Sequence, residues 1–419
     1  MTAKNPGLVS SYALVAGCLL LLTAATLGAR GQSQERGQDR GSPPRDFRGN
    51  CTAAECHDQY GQKGVVHDPV ATGDCQECHV LVSGEDHRFQ ALPATVELCA
   101  SCHGDVTADL KFAHGAVTGG ACLVCHDPHA SGRPGLMAGD PTGICLRCHV
   151  TMKEWVGTRT YTHDPAVDDC LSCHDAHGGD NRMILLQAPP ALCIECHVEI
   201  GDVVAEAAVS HDAVSTERSC VSCHEPHASD TEHLLLREPM DMCLTCHGQE
   251  LDSGGKKIGD ITLLLERNSN HHGPIREKNC TACHVDVHGS KRFRLLGEEY
   301  PAGFYAPYEE RRYALCFQCH EPDVVRDGRT DALTDFRNGD RNLHFLHVNR
   351  QPKGRTCRAC HETHASRNPR HIADAVPFGE SDWMIPINYR KSDTGGSCLP
   401  GCHKQYGYDR ITPVVNIVK

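Results

Sequence analysis

Aromatic residues make up only 5% of this 419-residue chain, which holds two tryptophans and seven methionines. The 39% apolar fraction includes 27 cysteines. A chain of this length would ordinarily form two or three domains, yet the side chains of an ordinary core are scarce. Long amphipathic periodicity is missing through residues 51 to 247, so long amphipathic helices are not expected there. An excess of positive charge is missing as well. The formal net charge is −13, which argues against nucleic acid as a partner.

Cysteine paired with histidine is what the chain has in abundance. Thirteen times the second cysteine of a close pair is followed by histidine. Eleven of these motifs read Cys-x-x-Cys-His: Cys75/Cys78/His79, Cys99/Cys102/His103, Cys122/Cys125/His126, Cys145/Cys148/His149, Cys170/Cys173/His174, Cys193/Cys196/His197, Cys220/Cys223/His224, Cys243/Cys246/His247, Cys280/Cys283/His284, Cys316/Cys319/His320 and Cys357/Cys360/His361. Two are stretched, Cys51/Cys56/His57 by four intervening residues and Cys398/Cys402/His403 by three. Only Cys18 is left over.

The motif is the attachment site of c-type haem. Two nearby thiols bond to one edge of the porphyrin, and the next residue offers imidazole to the iron. A disulfide, a redox dithiol or half a zinc site would also use a cysteine pair. None of them needs histidine at this one offset. Histidine is 29 of 419 residues, so thirteen such successes by chance is of order 10^-15, which decides against them. Thirteen covalently held haem c groups are therefore expected, eleven at regular sites and two at the stretched ones. Tethered haem is a large flat apolar body that replaces the missing core. The expected fold is a multihaem cytochrome c: mostly irregular chain with short α-helices, wrapped around stacked haems, with little or no β-sheet, and unfolded without them. The attachment motifs are expected on short helical turns, with Gly-, Pro-, Asp- and Thr-rich loops between.

The motif histidines are 22 to 27 residues apart over the first eight gaps and 36 to 42 apart over the last four. Such a period marks a repeat. Its unit is a pair of motifs. The opening half has a free histidine seven to nine residues before its first cysteine: His67, His114, His163, His211 and His272. A second free histidine follows the motif: His129, His177, His227 and His364 closely, His288 one residue later, His87 later still. The closing half is plainer and usually follows proline, as in PTGICLRCH and PMDMCLTCH. Six units cover residues 67 to 403, with the site of His57 ahead of them.

These doubled motifs resemble those of the multihaem c-type cytochromes. The layout is similar to decahaem conduits that cross outer membranes inside a porin, and to other cytochromes of metal-reducing bacteria. The haem count and the two stretched sites depart from the decahaem pattern.

Sixteen histidines remain after the motifs take thirteen. Their fixed offsets mark most of them as distal iron ligands: His67, His87, His114, His129, His163, His177, His211, His227, His272, His288, His347 and His364. Methionine recurs nowhere in register, so bis-histidine ligation and low potentials are expected. A histidine three residues past a motif cannot reach the far face of that motif's own haem, so it must serve a neighbour. Twelve distal ligands for thirteen irons leave one short. His272 is preferred to His271 because HGPI matches the other units, and His347 to His344 on Phe345 two residues before it. The spares are His233, His271, His344 and His371. One of them completes the set, or one iron is five-coordinate or served by another subunit.

Residues 1–29 are expected to be a signal peptide or N-terminal anchor, giving a membrane attachment. Val15-Ala16-Gly17-Cys18 resembles a lipoprotein signal, with a plain cysteine in the apolar run as the alternative. Residues 30–50 read as a flexible linker, 51–250 as a nine-haem region and 251–419 as a four-haem region. Fourteen of the 21 aromatics follow residue 290, so this last region is expected to carry thicker packing. The expected role is respiratory or extracellular electron transfer, with no catalytic residue. Partners would be cytochromes, a quinol-linked donor, an outer-membrane porin or copies of itself, in the periplasm, outer membrane or cell surface of a bacterium. The alternatives are a nitrite, hydroxylamine or tetrathionate reductase, although no Cys-x-x-Cys-Lys exists, and a subunit of an extracellular filament.

Overall fold

The computed structural model describes residues 51, 57–83, 87–378 and 383–417. The expected leader with Cys18, the linker and Cys56 lie outside the described residues. No helix among the described residues is long and apolar enough to cross a membrane.

Each of the eleven regular attachment motifs forms one helical turn, whereas Cys398 of the last motif ends the strand Gly395–Cys398. In nine of them the histidine N–H donates to the carbonyl of the first cysteine at 2.9–3.1 Å. That bond places side chains i, i+3 and i+4, two thiols and one imidazole, on a common face. Closing-half motifs begin in or end α-helices: Thr95–His103, Pro141–Cys145, Ala191–Ile194, Pro239–His247 and Ala314–Phe317. Pro141 and Pro239 sit in the first turn, where no N–H is needed. Most opening-half motifs are 3-10 turns, such as Cys75–Glu77, Cys170–Ser172 and Cys280–Ala282.

Sheet is sparse but placed systematically. Five antiparallel two-residue ladders join Val65–Val66 to Ala130–Ser131, Phe112–Ala113 to Gly178–Gly179, Tyr161–Thr162 to Ala228–Ser229, Val209–Ser210 to Gly289–Ser290, and Asn270–His271 to Ala365–Ser366. Each pairs the residues just before the first free histidine of one unit with those just after the second free histidine of the next. The expectation of little or no sheet overlooked this stitch, because two-residue strands are too short for alternation to register. Close approach keeps the second strand small: Ala130, Ala228 and Ala365 are at most 1% exposed. At the ends of the repeat the ladder closes locally, Leu81–Ser83 on Arg88–Phe89 and Arg337–Asn338 on Arg341–Asn342.

Conventional packing lies near the C-terminus. Of the 15 buried apolar residues, only Ala130, Ile144 and Ala228 precede residue 251. One cluster joins Phe304, Ala359, Ala373, Val376, Ile385 and Ile387; the other joins Tyr313, Val325 and Val348. Upstream, few of the described side chains are buried, as expected of a stretch whose apolar packing is left to a bound cofactor.

Candidate metal centres

The stitch brings free and motif histidines face to face. In the first five units the closing-half histidine opposes the unit's own first free histidine: His103 with His67, His149 with His114, His197 with His163, His247 with His211, His320 with His272. The opening-half histidine opposes the second free histidine of the next unit: His79 with His129, His126 with His177, His174 with His227, His224 with His288, His284 with His364. His57 opposes His87 by the same rule, as if it were the opening half of a preceding unit.

With His361 and His344, twelve pairs have centroids between 6.0 and 6.3 Å. Ordinary ring contacts in the same chain range from 4.6 to 6.5 Å. The uniform spacing has a simple origin. A metal–imidazole bond of about 2.0–2.1 Å on each side, with roughly 1.1 Å from nitrogen to ring centre, puts two rings on one iron about 6.2 Å apart. Eleven pairs are also within 23° of parallel, and only His57 with His87 opens to 36°.

The rings are held in one tautomer. Nδ1 of His67, His114, His163 and His211 donates to the carbonyls of Pro128, Ala176, Pro226 and Val287 at 2.8–2.9 Å. Nδ1 of His126, His174, His224, His284 and His361 donates to the carbonyls of Gly135, Met183, His233, Arg294 and Arg370 at 2.7–2.9 Å. A carbonyl only accepts, so Nδ1 carries the hydrogen and the Nε2 lone pair is free for a metal. Those five carbonyls belong to residues with φ between 52° and 63°. Four are not glycine, so the left-handed backbone recurs in register at a cost and aims the carbonyl at the ring.

Acidic residues straight after the motif act on the neighbouring ring. Glu225 Oε1 lies 3.0 Å from His227 Nδ1, while Asp127, Asp175 and Glu362 lie 3.7–3.9 Å from His129, His177 and His364. They were readable in the strings CHDPH, CHDAH, CHEPH and CHETH but went unremarked. Burial pushes the imidazoles of His129, His174, His247, His272, His284, His288 and His361 downward. Burial thus favours the neutral ring, the form a metal ligand takes.

The last unit differs. His344 rather than His347 opposes His361, at 6.3 Å and 20°. His347 follows one turn later with its ring against Phe336, and the ring that faces His403 is Tyr406, stacked at 4.6 Å; burial pushes the His347 imidazole down, and the Leu343 carbonyl opposes that. The sequence reading had set His344 aside as a spare and preferred His347; the ring that faces His361 is that of His344. Of the other spares, His233 is 79% exposed and serves through its carbonyl, and Nε2 of His271 donates to the Leu265 carbonyl. His371 stands edge-on to His272, its buried Nδ1 without a partner.

Thiols of successive motifs are neighbours throughout: Cys51 and Cys75, Cys78 and Cys99, Cys99 and Cys122, Cys125 and Cys148, Cys145 and Cys170, Cys173 and Cys193, Cys193 and Cys220, Cys223 and Cys246, Cys243 and Cys280, Cys283 and Cys316, Cys316 and Cys357, Cys360 and Cys398. All twelve gaps between consecutive motifs are bridged this way.

The motif cysteines differ in how far the chain covers them. Cys102, Cys148, Cys196, Cys246, Cys319 and Cys402 are exposed, whereas the other described motif cysteines are half-buried. All six are the second cysteine of a closing half. The reason is where the chain goes next. After five opening halves it folds back over the motif: the carbonyls of Cys125, Cys173, Cys223, Cys283 and Cys360 accept the N–H groups of Ala138, Leu186, Leu236, Gly297 and Ala373 at 2.8–2.9 Å. Closing halves have no such return, so their second thiol faces outward. Cys102 Sγ, for example, meets only the hydroxyl of its neighbour Ser101, at 3.8 Å. Exposure leaves the motif geometry intact, since His103, His197 and His320 beside Cys102, Cys196 and Cys319 still face their partner rings.

Among the described residues no three His, Cys, Asp or Glu side chains converge as a bare metal ion requires. Two thiols, one imidazole beside them and a second imidazole about 6 Å from the first suit a flat macrocycle with iron at its centre.

Such a set defines a c-type cytochrome of many haems. Residues 67–108, 114–154, 163–202, 211–251 and 272–325 match the family described as the doubled CXXCH motif, and each match begins on a first free histidine. These stretches span just over half of the sequence, and the chain belongs to that family of multihaem cytochromes. The sixth unit is not among the matches. No curated protein matches the chain.

Proposed function

We propose that this cytochrome carries electrons in single file along thirteen haems, from the motif of His57 to that of His403. The observation that carries it is the nearness of thiols across every consecutive pair of motifs, hydrogen-bonded in six alternating gaps and close enough to feel each other's charge in the other six. Bound haem supplies a reversible one-electron iron couple. The chain's own groups do the rest. Twenty-six cysteines fix position and spacing. His67, His87, His114, His129, His163, His177, His211, His227, His272, His288 and His364 close the second coordination positions, and Nδ1 bonds and nearby carboxylates keep those rings basic, which favours low potential. The stretched motifs count among the thirteen.

The work belongs to respiration or extracellular electron transfer, at the periplasm, outer membrane or surface of a bacterium, between a quinol-linked or cytochrome donor and a further redox acceptor. Reduction and reoxidation by rapid mixing test the reading. All the haems should exchange electrons as one connected population, and a protein in which most fail to do so would remove it. The reductase alternative drew on a shortage of one distal ligand. With His344 facing His361, that shortage is no longer a reason for it.

A further inference from the structure

Five units obey one rule: the opening-half histidine takes its opposite ring from the next unit. His361 has no next unit. Its opposite ring comes instead from His344, which precedes its motif, on the short helix Leu343–Val348. The same helix carries His347 one turn on, with its ring against Phe336, while the ring of His403 stacks on Tyr406 at 4.6 Å, so the place the rule gives a closing half's partner falls to His347 by its position on the helix. Residues three apart on a helix are about 60° apart around the axis and about 4.5 Å along it. Two rings so placed can serve two adjacent irons.

The local structure is built to hold both. Thr334 Oγ1 lies 3.0 Å from His344 Nδ1, and His347 Nδ1 donates to the Leu343 carbonyl at 2.7 Å, so Nε2 of the second ring is free, and so is that of the first when the hydroxyl accepts. Phe336 packs edge-on to His344 at 5.1 Å and lies near-parallel to His347 at 5.7 Å. Asn342, 1% exposed, caps the helix by accepting from the N–H groups of His344 and Phe345, and its amide donates to the carbonyls of Val324 and Asp327. The hairpin Arg337–Asn338 with Arg341–Asn342 occupies the place where a seventh unit's strand would pair.

We infer that His344 is the distal ligand of the haem on Cys357 and Cys360, that His347 is the distal ligand of the haem on Cys398 and Cys402, and that this helix therefore ends the array within one chain. The array then has no vacant iron to share with a second copy. The inference rests on the reading above that the motifs carry haem.

The test uses the haem-loaded chain, with haems counted by mass spectrometry and high-spin iron by EPR. Wild type should be wholly low-spin and stay so on dilution to monomer. H344A and H347A should keep the full haem count, and each should show one high-spin iron in thirteen that added imidazole returns to low spin. H344M should stay low-spin with one midpoint potential raised. A wholly low-spin H344A without added imidazole overturns the inference. So does wild type that gains high-spin iron on dilution, because the ligand then comes from another copy. If H344A does not mature, H344M and the dilution series decide. Bare thiols at the motifs would instead defeat the haem reading itself, and the mass separates that outcome from the others.

Discussion

Replacing His177 by methionine places a trap inside the proposed conduit without touching the stitch around it. His177 faces His126 at 6.1 Å and 10° from parallel. Its carbonyl, which receives the His114 N–H at 3.0 Å, is backbone and survives, as does the bond from His114 Nδ1 to Ala176. The neighbouring pair His114 with His149 therefore keeps its geometry. Axial ligands move haem potentials across a range of about 0.8 V, and methionine for histidine raises them. A rise of about 120 mV makes departure from that haem about a hundredfold less favourable, since 59 mV is tenfold for one electron. The motif of His126 is the fourth of thirteen. With the protein tethered to an electrode through its N-terminus, slow voltammetry should find the charge of the whole set in wild type and variant alike. At high scan rate wild type should still deliver it, and H177M should deliver only about four-thirteenths. A variant whose fast-scan charge equals that of wild type would mean that current bypasses this haem, and the single-file argument would be wrong.

Three further outcomes are expected. Ser229 Oγ donates to the Leu235 carbonyl at 2.6 Å and accepts from the Thr231 N–H at 3.0 Å. Ser229→Ala should cost about 1–3 kcal/mol, read as a lower midpoint in guanidinium unfolding, with the spectrum of the folded protein unchanged. Asn342→Ala removes both a cap and two buried bonds, so it should cost more and raise the high-spin signal of the last two haems together. Acid should also weaken the fold. Burial, with His361 and His347 nearby, holds His344 at about 3, against about 6.5 in an unfolded chain. The unfolded chain therefore binds more protons, and stability is lost as pH falls through 6.5 toward 3. Low-spin iron should persist well below pH 6.5 in a spectroscopic titration, and loss centred at 6.5 would contradict the burial.

Chemistry was more legible in the sequence than architecture. Cysteines 75 and 78 announce their role with His79 because attachment depends on covalent spacing, which is local. The ring that faces His79 is His129, and that pairing depends on a two-residue ladder between Val65–Val66 and Ala130–Ser131. So short an element leaves no periodic trace. His344 was passed over for the same reason that His347 was chosen: a ligand was sought by register, and the last unit breaks register to close the array. His233 and Met183 illustrate the converse. Their side chains invite a ligand reading, yet both are largely exposed and each works through a carbonyl turned by a left-handed backbone.

A polypeptide is made from its amino end, and the stitch between units runs against that direction. On the proposed ligation, each opening-half iron in five successive units waits for a histidine that is synthesised 50 to 80 residues after its own. As the exported chain is loaded with haem from its amino end, the last iron filled would have one face still without its ligand. The last unit reverses the order, with His344 and His347 ahead of both motifs they serve. The haems of this last unit therefore need no histidine from further along the chain.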